Sequence, residues 1–132
     1  MVREVKVDNE VLAVLVGGDW EEGLHFYSSD TDFIQVGTWR YPAGRALQAH
    51  VHNLAKRSIT RTQEVIFVRK GALRATIYDE LGRPAEKIIV REGDLLILLR
   101  GGHGYEILED DTKVLEVKNG PYPGPEVDRT RL

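Results

Sequence analysis

Four side chains, spread along the sequence, are of types that bind metal: His50 and His52 in Ala49-His50-Val51-His52, Glu64 at the start of EVIFVR, and His103 in Arg100-Gly101-Gly102-His103-Gly104. Residues two apart on an extended strand project from one face, so His50 and His52 would present two imidazoles side by side. Glu64, Ile66 and Val68 share a strand face by the same rule. The glycines around His103 free the backbone to turn its ring inward. Three imidazoles and one carboxylate suit zinc, iron, manganese, nickel or cobalt. The HxH pair by itself has a competing reading, two surface histidines on an edge strand. The chain has no cysteine, so disulfides and thiolate sites are excluded, and a metal must use imidazole, carboxylate or backbone oxygen.

The elements that would position these groups are short and rich in Val, Ile and Leu, and each is closed by a turn signal. The expected strands are Val2–Val7, Val11–Val16, Phe33–Arg40, Leu47–His52, Glu64–Arg69, Ala72–Asp79, Ala85–Val90, Asp94–Leu99, Tyr105–Leu108 and Lys113–Lys118. Glu64–Arg69 and Ala72–Asp79 flank Lys70-Gly71 as a hairpin would. Many short strands at regular spacing predict an all-β sandwich or barrel. No stretch has a strong helical period; Asn53–Thr62 has room for one helical turn. The length of 132 residues fits a single domain. Residues 1–32 read as N-terminal strands, 33–118 as the core, and 119–132, with its prolines and glycines, as an irregular tail laid over the barrel or a neighbouring subunit. A partly frayed terminus is the competing reading of that tail.

Set in order, these residues resemble the cupin superfamily across roughly Gly37–Val117. The first cupin motif is Gly, five residues, His-x-His, a gap, Glu, six residues, Gly. The chain has Gly44, RALQA, His50-Val51-His52, a gap, Glu64, VIFVRK and Gly71. Its gap, Asn53–Gln63, is longer than usual. The second motif matches in outline through Gly93-Asp94, an apolar strand and Gly101. It departs in detail: Leu99 takes the proline position, His103 arrives one residue early, and Ile107 lies near the asparagine position. The resemblance implies a double-stranded β-helix, or jelly-roll barrel. It also implies that His50, His52, Glu64 and His103 map onto the family's ligands for one divalent transition metal ion: zinc, manganese, iron or nickel.

Such a site leaves coordination positions open for water or a substrate oxygen pair. It is compatible with an isomerase, an epimerase or a dioxygenase acting on a sugar derivative or a keto or hydroxy acid. It is equally compatible with a non-catalytic binding or sensor module. The stretch Asn53–Gln63 carries Lys56, Arg57 and Arg61 and no acid, as a lid over an anionic small molecule would; a solvated loop is the competing reading. Trp39, Gln35 and Phe33 would share a face, with Trp39 a core plug and Gln35 turned into a polar cavity. Tyr78 and Tyr105 read as strand residues with tethered hydroxyls, and His25 as a histidine outside the motif. The formal charge of −3 gives no basic excess for nucleic acid. No apolar segment has the length of a membrane span, and the first residues do not read as a signal peptide, so the expected location is cytoplasmic. The apolar strands Val2–Val7 and Val11–Val16 are expected at a sheet edge, where they would help form a homodimer.

Overall fold

A computed structural model describes all 132 residues and contains ten strands and one short helix. The strands are β1 (Val2–Val7), β2 (Glu10–Val16), β3 (Gly23–Phe26), β4 (Gly37–Arg40), β5 (Glu64–Lys70), β6 (Ala72–Tyr78), β7 (Pro84–Arg91), β8 (Leu95–Leu98), β9 (Gly102–Ile107) and β10 (Lys113–Lys118). The helix α1 (Pro125–Asp128) is a single turn in the tail. All pairing is antiparallel, in three sheets ordered β1-β2-β8-β5-β10, β3-β4 and β7-β6-β9. The chain is thus an all-β single domain. No helix is long and apolar enough to cross a membrane.

Apolar patterning explains how the layers stack. On β5, β6 and β7 the buried residues alternate, as expected for strands with one covered face. Ile66, Val68 and Leu96 of the large sheet meet Leu73, Ala75, Ile77, Ile88 and Val90 of the three-stranded sheet in one core. The run Val11–Val16 has no alternation, and the reason is its place: β2 lies inside the large sheet and is covered on both faces. Val14, Val16, Ile97 and Leu99 face a second cluster with Val36, Trp20, Tyr27 and Ile34. Only β1 of the two N-terminal strands stands at an edge; Val11–Val16 is interior.

Several expectations change. The Lys70-Gly71 turn does not join a hairpin, because β5 pairs with β8 and β10 while β6 pairs with β7 and β9. The chain crosses from one sheet to the other there. Gly71 has φ 82°, and a Cβ on it would run into the side chain of Thr112 from the β9–β10 corner. Of Phe33–Arg40 only Gly37–Arg40 is strand, paired with the unexpected β3. Trp39 is exposed and is no core plug. Gln35 turns outward and donates to the carbonyls of Ser29 and Asp32. Leu47–His52 is not a strand in the single chain, because nothing pairs with it.

The turn after β6 is built on Asp79. Its Oδ1 accepts from the backbone N–H groups of Leu81 and Arg83 at 3.0 and 2.9 Å, and its Oδ2 accepts from Arg83 Nε at 2.7 Å. The Arg83 backbone bond is the largest influence on its carboxyl. Burial opposes it, but the Arg83 and Leu81 donors together hold Asp79 below the usual carboxylate value of 3.8. A depressed folded value means the stabilisation is complete above the ordinary value and is lost as pH falls through the folded one. Thermal melts from about pH 5 down to about pH 2 should therefore show a steeper fall in Tm for the wild type than for Asp79→Asn. Equal slopes would show that the turn carboxylate does not contribute.

Candidate functional site

Register decides which side chains face the space between the sheets. On β9, His103, Tyr105 and Ile107 lie opposite Ile77, Ala75 and Leu73 of β6. Those three β6 residues are buried core, and directly opposed residues share a face. His103, Tyr105 and Ile107 therefore point inward. On β5, Glu64 is inward with Ile66 and Val68, and β10 sets Lys118, Glu116 and Val114 opposite them. These inner faces and residues 128–132 of the tail line a cavity of about 790 Å³.

Within it His103 Nε2 lies 3.1 Å from Glu64 Oε1, and the Tyr105 hydroxyl donates to the same oxygen at 3.2 Å. The two rings sit 5.2 Å apart, tilted by 34°. Glu64 is buried while His103 is partly open to the cavity. Burial is the largest influence on the Glu64 carboxyl and opposes its charge. His103, Tyr105 and Lys118 together outweigh that cost and hold it below the usual carboxylate range. Burial, then the charge of Glu64, pushes the Tyr105 phenol far above its ordinary value. Tyr105 is thus a fixed donor at neutral pH. The glycines before His103 act as expected: Gly101 has φ 75°, and a Cβ there would collide with the Tyr78 carbonyl.

His50 and His52 are elsewhere. Their rings lie side by side, 5.0 Å between centroids, as the HxH spacing predicts. They stand on an exposed, irregular stretch, and the only side-chain hydrogen bond of either ring joins His50 Nδ1 and the Gln48 carbonyl. No three His, Asp or Glu side chains of the single chain come together as a metal-ligand group. The four sequence-derived residues form two pairs, Glu64 with His103 and His50 with His52. Glu64 and His103 suit a borderline transition metal by donor type, but two donors are fewer than a protein-held ion needs.

Of the stretch Asn53–Gln63 only Thr62 lines the cavity, and Lys56, Arg57 and Arg61 do not. Arg61 pairs with Glu80 at 2.8 Å, and the arginines that line the cavity come from the tail, Arg129 and Arg131. Thr62 Oγ1 donates to Asp128 Oδ1 at 2.9 Å and ties the tail down. The Pro/Gly-rich composition pointed to a tail laid over the domain, but nothing in it singled out these arginines. The one side-chain hydrogen bond of His25 is to the Glu22 carbonyl, and Asp32 accepts from Ser29 N–H in a local turn.

Comparison of the chain with protein-family models, curated proteins and solved structures gave no match. Fold and site together define an all-β domain with a carboxylate–imidazole–phenol cluster in an open cavity.

Proposed function

We propose that this chain is a cupin-type barrel in which His50, His52, Glu64 and His103 gather one divalent transition metal to bind and act on a small polar metabolite. One observation carries this reading. Glu64 and His103, more than thirty residues apart in sequence, converge at 3.1 Å inside a cavity large enough for a small metabolite. When bound, the metal would supply Lewis acidity. The protein's own groups do the rest. Tyr105 offers a permanent donor, Ile66, Leu73 and Val114 supply apolar lining from both sheets, and Arg129 and Arg131 in the lining favour an anionic ligand.

Elemental analysis of protein purified without chelator tests the reading. About one equivalent of a single transition metal is expected, lost on dialysis against a chelator. Protein that carries no metal after exposure to zinc, manganese, iron and nickel salts overturns it.

A second reading, capture without conversion, is favoured by Tyr105. A phenol held protonated by burial and by Glu64 orients a ligand but does not remove a proton from it. Incubating metal-loaded protein with a mixture of sugar derivatives and keto acids separates the readings. A new species marks an enzyme, and depletion without product marks a binding module.

A further inference from the structure

One stretch of the chain is unlike the rest. Every residue from Pro42 to Thr60 is exposed, and residues 46–60 make no backbone–backbone hydrogen bond. Yet the stretch is not composed like a solvated loop. Leu47 is 48% exposed, Val51 86%, Leu54 104% and Ile59 43%. Leu47–His52 also has the alternation of a strand. A segment of this kind gains by pairing and burial and gains nothing by standing in water.

Its two ends are fixed. Before it, β4 is hydrogen-bonded to β3. After it, the Arg61 carbonyl accepts from Asn119 Nδ2 at 3.1 Å, and Gln63 is buried. What lies between is an arm whose last residues, Arg57–Thr60, run beside the tail and whose earlier part, Ala46–Lys56, makes no backbone–backbone hydrogen bond to its own chain.

The body has a matching vacancy. Strand β9 is paired on one side only, by β6, and β10 on one side only, by β5. Their free edges belong to the two strands that bring His103, Tyr105 and Val114 to the cavity. Both strands expose apolar side chains, Ile107 on β9 and Leu115 and Val117 on β10, all more than 45% exposed. Charge is complementary as well. The arm carries Arg45, Lys56 and Arg57 and no acid, whereas the β9–β10 turn carries Glu109, Asp110 and Asp111.

We propose that the arm of one chain adds to the β9 edge of a second copy, and that the second copy returns its own arm. Each site then holds Glu64 and His103 from one chain and His50 and His52 from the other. A second copy is the occupant because each chain carries one arm and one β9 edge beside its cavity, so a two-fold exchange pairs both arms with both β9 edges. Laid along β9 with its histidines inward, the arm sets His50 and His52 one strand spacing, about 5 Å, from the row that contains His103. The ligand chemistry rests on the metal reading above; the exchange itself rests on the unpaired arm and edges.

The chain has no cysteine, so thiol cross-linking reads the exchange directly. Val51→Cys on the arm and Glu106→Cys on the outer face of β9 are combined in one chain and treated with a short bis-maleimide. Exchange predicts a covalent dimer on a denaturing gel, with each single variant giving far less. An internally linked monomer overturns it, and so does an unlinked protein that light scattering finds monomeric. Equal dimer from either single variant also overturns it, since the contact would then not be arm to edge.

Metal content is the second readout. A His50→Ala/His52→Ala chain and a Glu64→Gln/His103→Ala chain each bind no metal alone. Refolded together, they should recover about a quarter of the wild-type content, because half the dimers are mixed and each mixed dimer has one intact site. Metal-binding wild type with neither complementation nor cross-linked dimer defeats the exchange and leaves the metal reading standing. Cross-linked dimer with no metal in any form does the reverse.

Discussion

On the proposed metal reading, Glu64→Gln should lower metal affinity by about 100-fold or more, while the protein keeps its fold and its Tm within a few degrees. Removing a group that hydrogen-bonds to a metal ligand costs about 10–100-fold in affinity, and removing a direct carboxylate donor costs at least as much. Glutamine preserves the side-chain volume and can still accept from Tyr105 and His103 at the position of Oε1. It removes the charge that a divalent ion needs next to neutral imidazoles. Burial opposes the Glu64 charge, and the surrounding donors sustain it, so its loss should not unfold the domain. His52→Ala should lose metal to a similar extent with still less effect on stability, since His52 is exposed. Tyr105→Phe separates the roles. It removes one donor to Glu64 and should cost about 10-fold, within the range of an outer-shell partner. Titration with cobalt(II), followed by its visible absorption, measures all three. If Glu64→Gln binds metal as tightly as the wild type, Glu64 is not a ligand.

The inward face of Glu64 was legible because β5 alternates cleanly. Once Ile66 and Val68 are assigned to the core, the period of two fixes Glu64 with them. The turn at Gly101 was legible for the same kind of local reason, a backbone conformation that suits glycine. Partnership between strands was not. Lys70-Gly71 has the chemistry of a hairpin turn, yet β5 and β6 lie in different sheets. Turn chemistry records that the chain reverses and does not record which strand then lies alongside. The arm failed to read correctly for a related reason. Leu47–His52 has the pattern of a strand, but a pattern supplies only one side of a ladder, and the single chain lacks the other. Of the candidate site, the local pairing of His50 with His52 and the inward face of Glu64 were thus readable. The step that would join the pairs depends on long-range contacts absent from any local spacing.

Gln63 shows the same limit and yields the largest stability effect expected here. It looks like the last polar residue of a basic loop, yet it is 2% exposed and its amide is fully used. Oε1 accepts from the backbone N–H groups of Phe33 and Ile34 at 2.8 and 3.0 Å. Nε2 donates to the Leu99 carbonyl at 3.1 Å and to Asp32 Oδ1 at 3.2 Å. Its backbone N–H donates to Asn119 Oδ1 at 2.6 Å. One side chain therefore joins the loop before β4, the end of β8 and the base of the arm, directly beside Glu64. Gln63→Leu keeps the volume and strands two N–H groups and a carbonyl. Each such group costs about 1–3 kcal/mol when it is fully buried. Phe33 and Ile34 are only partly buried and can recover some hydration, so the total should be about 3 kcal/mol. For a domain of this size that lowers Tm by about 10 °C. Gln63→Glu keeps the acceptor but loses both donations and sets a second carboxylate against Asp32. Its deficit should shrink as pH falls, because protonation returns one donor and removes the repulsion. Melts of both variants at two pH values decide the matter. If Gln63→Leu melts with the wild type, the amide is not the joint between these segments, and Glu64 is held in place by β5 alone.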